Sequence, residues 1–156
     1  MEISLAGWSI HRRFFDKQIT MVDYPKVTAE EFGISMIELN SPFFVYEDQD
    51  DQAGSPIKAS HLADVKAAAA DAGVTCLSIA VDGHGNLAAL DEAERKAAVE
   101  NHRKWFDIAN ELGCTSFRAN SGGHGPEGTE AEQIGQCTKS FAELAEIGRA
   151  SCRERV

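Results

Sequence analysis

The sequence predicts an α/β protein: the N-terminal half of a parallel (β/α)8 barrel, about four βα units, with the barrel not closed. Three observations predict it. Short strand-prone runs alternate with helix-prone segments, which argues for parallel strands joined by right-handed crossovers. A pattern of helix end, glycine, apolar residue and strand recurs at Phe32-Gly33-Ile34, Ala72-Gly73-Val74 and Leu112-Gly113-Cys114, in two steps of 40 residues. The first strand runs into Ala6-Gly7-Trp8-Ser9-Ile10, not into the GxGxxG loop of a dinucleotide-binding sheet. Polar residues collect after every strand, which suits a barrel better than an open doubly wound sheet.

The elements follow in order. Ile3 to Trp8 gives a first strand. A short helix is predicted from Asp23, its N-cap, to Phe32, and Gly33 closes it in the left-handed conformation. Ser35 to Leu39 is the second strand. A helix over Ala59 to Ala72 places Leu62, Val65 and Ala69 at helical spacing, and the alanine run 67–70 favours it. Thr75 to Val81 is the third strand. The third helix is the clearest. Asp91 caps it and Glu94 stands three residues on, then Ala98, His102, Trp105, Ala109 and Leu112 fall on one face. Thr115 to Ala119 is the fourth strand, and a fourth helix begins near Glu130 with Ile134, Phe141 and Leu144.

Composition bounds the function. The chain has 156 residues, 43% hydrophobic and 26% charged, enough for one domain with a hydrophobic core. No run approaches the roughly 20 apolar residues of a membrane span. The opening Met-Glu-Ile-Ser-Leu soon meets His11, Arg12 and Arg13, which is no signal peptide, so a cytoplasmic location is expected. The net charge of −10 disfavours binding to phosphate backbones. Cys76, Cys114, Cys137 and Cys152 show no CxxC spacing and read as reduced thiols.

A full barrel takes about 250 residues. Here the next strand-leading glycine falls due near position 153, but the chain ends Ile147-Gly148-Arg149-Ala150-Ser151-Cys152-Arg153-Glu154-Arg155-Val156. This basic decapeptide reads like one frame of a common sequencing adapter. The expectation is therefore a partial barrel over residues 1–146 and a non-native tail over 147–156.

Barrels place their chemistry at strand C-terminal ends and in the βα loops. That rule selects Trp8, Ser9 and His11 after the first strand, and Glu38 and Asn40 on the second. It also selects Asp82, His84 and Asn86 after the third, and Arg118, Asn120 and His124 around the fourth. Glu38 alternates with Ile37 and Leu39, so it faces the lumen if they face the helices. There it either pairs with Arg118 or serves a substrate or metal shell. His84 sits between Gly83 and Gly85. Trp8 is either an aromatic wall for a sugar ring or barrel-bottom packing. His61 and His102, on helices, read as structural. No HExxH or comparable ligand motif occurs, and Glu38, Asp82 and His84 alone are a weak metal signal.

Phe32-Gly33-Ile34-Ser35-Met36-Ile37-Glu38-Leu39 resembles the second-strand signature of the xylose-isomerase-like sugar phosphate isomerases/epimerases. So do Asp82-Gly83-His84-Gly85-Asn86-Leu87, the helix through Trp105 to Gly113, and Ser116-Phe117-Arg118-Ala119-Asn120-Ser121-Gly122-Gly123. The resemblance implies a TIM barrel that isomerises or epimerises a small sugar or sugar phosphate. It uses a divalent cation, Mn or Mg and in some relatives Zn, with a carboxylate moving the proton. It also implies that the metal ligands come from later strands, so no metal residue and no cofactor is expected in this chain, and its catalytic residues are left unassigned. First-half residues shape the sugar pocket, a role that falls to Glu38, His84, Arg118 and Asn120, with Trp8 and His124 as further substrate contacts. Two alternatives stand beside this one. One is a dehydratase or zinc endonuclease of the same superfamily. The other is a non-catalytic half-barrel that self-associates through its open edges.

Overall fold

The computed structural model describes residues 3–122 and 128–153. Four strands, β1 (Leu5–Ala6), β2 (Met36–Asn40), β3 (Thr75–Val81) and β4 (Ser116–Ala119), form one open sheet in the order β1-β2-β3-β4. Every pairing is parallel. Helices join them: α1 (His11–Phe15), α2 (Tyr24–Val27), α3 (Ala59–Asp71), α4 (Glu92–Glu111) and α5 (Glu130–Arg153). This is the α/β half-barrel that the alternation and the glycine period predict. Gly33, Gly73 and Gly113 have φ of 64°, 65° and 76°. A Cβ would meet nothing within 4 Å at any of the three, so conformation and not space requires glycine there.

The strands divide their residues between two faces. Ile37, Leu39, Ile79 and Val81 point outward into the helices and are buried. Glu38, Asn40 and Ala80 point to the concave side. Under the sheet, Phe14, Tyr24, Tyr46, Val65, Trp105 and Ile108 complete the main core. A smaller cluster of Leu87, Ala98, Val99 and Leu144 packs α5 onto α4. Arg95, 2% exposed at its side chain, fastens the same two helices. Its guanidinium donates to Glu92, Glu143 and the Ser140 hydroxyl.

Several predicted boundaries shift. Only Leu5 and Ala6 pair in the first strand; the chain then turns through a 3-10 segment, Gly7–Ile10, into α1, which the sequence reading missed. α2 starts as expected at Tyr24 but widens into a π turn over Thr28–Phe32. There the buried Thr28 hydroxyl donates to the Tyr24 carbonyl, a local bond that competes with regular helix. Asp23 occupies the N-cap position, yet its carboxylate accepts from the backbone and hydroxyl of Thr20 instead of its own helix. Asp91 does cap α4, accepting from the Glu94 N–H at 2.8 Å. Before α5, Thr129 and Glu132 form a reciprocal capping box, a Thr-x-x-Glu signal present in the sequence. α5 runs through residue 147 without a break, and Ile147 packs on the smaller cluster. The change of composition at 147 leaves no mark on the helix.

Cys76, Cys114 and Cys137 are free thiols. Among the described residues no helix is long and apolar enough to cross a membrane.

Candidate functional site

The C-terminal ends of the four strands surround a concavity of about 510 Å3, lined by Ala6, Trp8, Glu38, Asn40, Ala80, Asp82 and Arg118. The first three strands and the residues just after them supply pairs two apart, because alternate side chains share a face, and β4 supplies Arg118. The site residues predicted from the sequence are thus partly brought together. Trp8, Glu38 and Arg118 line the concavity, and Asn120 is joined to them through Asp82. His84 is placed elsewhere. His124 lies outside the described residues.

Asp82 organises the rim. Its backbone is held by Ser41 at the end of β2: the Ser41 hydroxyl accepts from the Asp82 N–H at 2.8 Å and donates to its carbonyl at 3.0 Å. Its carboxylate accepts from Arg118 at 3.1 Å and from the Asn120 amide. Arg118 also donates to the Asn120 side-chain oxygen at 2.6 Å. The three side chains form a closed ring of charge-assisted bonds. Of the two alternatives for Glu38, the pair with Arg118 does not form. β4 adjoins β3, whereas β2 lies two strands away, roughly 10 Å at ordinary strand spacing. Glu38 instead accepts from the Ser4 hydroxyl at 2.6 Å.

Asn40, two residues beyond Glu38, is 4% exposed, and its Oδ1 has no hydrogen-bond partner among the described residues. Trp8 is 49% exposed. Its ring lies nearly parallel to His11 and Phe43, with centroids 5.1 and 5.9 Å away. It follows the C-terminal end of β1, so it belongs to the rim and not to the barrel bottom.

His84 lies behind the rim, 2% exposed. Its Nδ1 donates to the Asp82 carbonyl at 2.8 Å, and its ring meets Trp105 edge-on at 5.2 Å and His102 at 6.0 Å. Burial pushes its pKa down to about 4, so at neutral pH it is an uncharged imidazole with the proton on Nδ1. It braces Asp82 from the helix side. His102 has the structural place expected of it, its Nδ1 on the Ala98 carbonyl. Nearby, Lys104 donates to the carbonyls of Gln52, Ala53 and Ser55 and so fastens the β2–α3 connection to α4. Burial lowers its pKa to about 8.

Ser4 and Lys104 are invisible as site residues, since a lone serine or lysine carries no motif. Asn40 and Ser41 are legible from the strand-end rule, which selects Asn40 and the Ser41-Pro42-Phe43-Phe44 run after it.

No three His, Cys, Asp or Glu side chains gather to hold a metal ion among the described residues. The two carboxylates of the concavity are bonded to Ser4 and to Arg118 with Asn120. The side chains present therefore do not fit a metal site by themselves.

The model of the xylose isomerase-like TIM barrel family matches residues 28–151. The chain belongs to this family. Among curated proteins none matches significantly by sequence. Solved structures do match in fold. D-psicose 3-epimerase from Clostridium cellulolyticum H10, determined with D-tagatose, is 14% identical with a TM-score of 0.69, over 97% of this chain and 50% of that one. 3-Keto-D-glucoside 4-epimerase from E. coli is 11% identical with a TM-score of 0.63, over 85% and 48%. L-ribulose 3-epimerase is 18% identical with a TM-score of 0.61, over 97% and 47%. The chain thus spans about half the length of these structures, and at these identities the likeness is one of fold.

Proposed function

We propose that this chain is the sugar-binding half of a sugar epimerase or isomerase, one that moves a proton next to a carbonyl. The observation that supports it best is the acceptor-rich concavity at the strand C-terminal ends, where such barrels do their chemistry. In this reading Glu38, Asn40, Asp82, Arg118 and Asn120 hold and orient the sugar, and Trp8 walls one side. Ser41 and His84 keep Asp82 in place. A divalent cation, Mn or Mg, would be held by side chains outside this chain and would polarise the sugar oxygens.

Reading the source locus past the codon for Glu146 tests this. The frame is expected to continue for roughly 100–150 residues and to encode Glu, Asp and His at strand ends. The continuous protein should then convert a ketose to its epimer or aldose and lose that activity on chelation. A stop after the codon for Val156 overturns the reading.

A chain with β1 and β4 as free sheet edges is expected to associate with copies of itself and to be inactive alone. Size-exclusion chromatography with light scattering checks this; a monodisperse monomer that turns over sugar contradicts it. The acid-rich concavity and the net charge of −10 speak against an endonuclease.

A further inference from the structure

The concavity is unequal in what it offers a ligand. On the accepting side stand the Glu38 carboxylate, which takes one bond from Ser4, and Asn40 Oδ1, which is buried and takes none among the described residues. A buried acceptor without a donor is costly, and native structures rarely leave one so. Asn40 Oδ1 sits where a side chain on Gly7 would crowd it: a Cβ there would lie 2.9 Å away. Glycine at that position gives the oxygen its room: it is buried against Gly7, beside the lining residues Ala6 and Trp8.

On the donating side the lining has, among the described residues, one cation, Arg118, and it is already engaged by Asp82 and Asn120. The lining carries Glu38, Asp82 and Arg118, two negative charges against one positive. A phosphate group brings negative charge and acceptor oxygens. It would be repelled by Glu38 and would have to take Arg118 away from Asp82. A sugar hydroxyl brings a donor, which Asn40 Oδ1 lacks and which the Glu38 carboxylate, bonded once to Ser4, still has lone pairs to accept.

Resting on the sugar reading above, we propose that the part of the substrate seated on these four strands is an uncharged, hydroxyl-bearing chain. The site therefore prefers a neutral ketose to its phosphate ester. Asn40 is the specificity residue of this preference, as acceptor for a sugar hydroxyl, and the Asp82–Arg118 pair maintains it by withholding the guanidinium.

Saturation-transfer NMR on the 156-residue chain, with D-fructose and D-fructose 6-phosphate in competition, tests it. D-fructose is expected to bind at least tenfold more tightly. Asp82→Asn should raise the relative affinity for D-fructose 6-phosphate at least tenfold, because it removes one negative charge and the ion pair that holds Arg118, leaving the guanidinium only neutral partners. The backbone bonds of residue 82 to Ser41 and His84 survive that change, and a gain in phosphate binding cannot come from misfolding. Equal or tighter binding of the phosphate ester by the unaltered chain overturns the inference and spares the sugar reading. So does an Asp82→Asn chain whose preference is unmoved. If neither sugar binds, the sugar reading itself falls and this inference with it.

Discussion

The two faces of one short sheet differ as sharply as two proteins. On the outer face Ile37, Leu39 and Ile79 are fully buried against helices. On the inner face, one residue along the same strands, stand Glu38, Asn40 and Ala80. Beside them on β4, the side chain of Arg118 is 58% exposed. The outer face makes its contacts by burial of apolar area, which is non-directional and contributes most to folding. The inner face makes few directional bonds and leaves one buried oxygen without a donor. The difference teaches that stability and ligand chemistry are assigned to alternate residues of the same strands, so each can be altered without the other.

The strongest way to break that division is Ile79→Ala. Ile79 is 0% exposed in the middle of β3, and truncation leaves a cavity that helices on one side and sheet on the other cannot close. A loss of about 4 kcal/mol is expected, read by urea denaturation followed by circular dichroism. A loss below about 1 kcal/mol, the range of an ordinary surface or tolerant site, would mean that the outer face is not the stabilising one.

The outer face was the legible one. Apolar periodicity and the three glycines placed all four strands and the three long helices, because hydrophobic pattern and left-handed helix ends are local properties of the chain. The short α1 and the π turn were not legible. The π turn rests on the Thr28 hydroxyl reaching the Tyr24 carbonyl, a bond that hydrophobic periodicity does not register, and α1 is only five residues long, too short for a periodic pattern. The inner face was half legible. Strand ends gave Glu38, Arg118 and Asn120, since alternation and the barrel rule act on sequence alone. The Glu38–Arg118 pair, one of the two alternatives open to Glu38, does not form, because sequence shows which residues face inward but not how many strands separate them. His84 followed the same limit: two flanking glycines mark a turn, but only the packing of Trp105 and His102 decides that the ring turns inward to the helices.

His84 gives the next test, since it joins the two faces. Its folded pKa of about 4 lies below the usual 6.5 for histidine. Between those values the unfolded chain binds a proton that the folded chain does not, so stability falls as pH drops from about 6.5 to 4. The loss should reach about 2–3 kcal/mol. His102, whose pKa burial also lowers, adds in the same direction. Lys104 opposes protonation of His84, and the Asp82 carboxylate favours it. Glu92, held down to about 2 by Arg95, acts only at lower pH, which separates the two effects. Urea midpoints of the chain and of His84→Asn across this range make the comparison. The variant should have the flatter acid arm, and identical slopes would mean that His84 is not the buried neutral group described here.

The smallest effect sharpens the division most. Arg118→Ala removes a charged side chain from the inner face and breaks its bonds to Asp82 and Asn120. Exposed ion pairs contribute little, because the guanidinium and the carboxylate regain water when they part. Stability is therefore expected to change by less than about 0.5 kcal/mol, although the side chain lost is far larger than the groups removed in Ile79→Ala. Chemical denaturation of the two variants side by side settles whether size or face governs the outcome. A loss for Arg118→Ala comparable to that for Ile79→Ala would show that the Asp82–Arg118–Asn120 ring holds the strand ends together. The inner face would then be part of the scaffold and not a surface free for ligand.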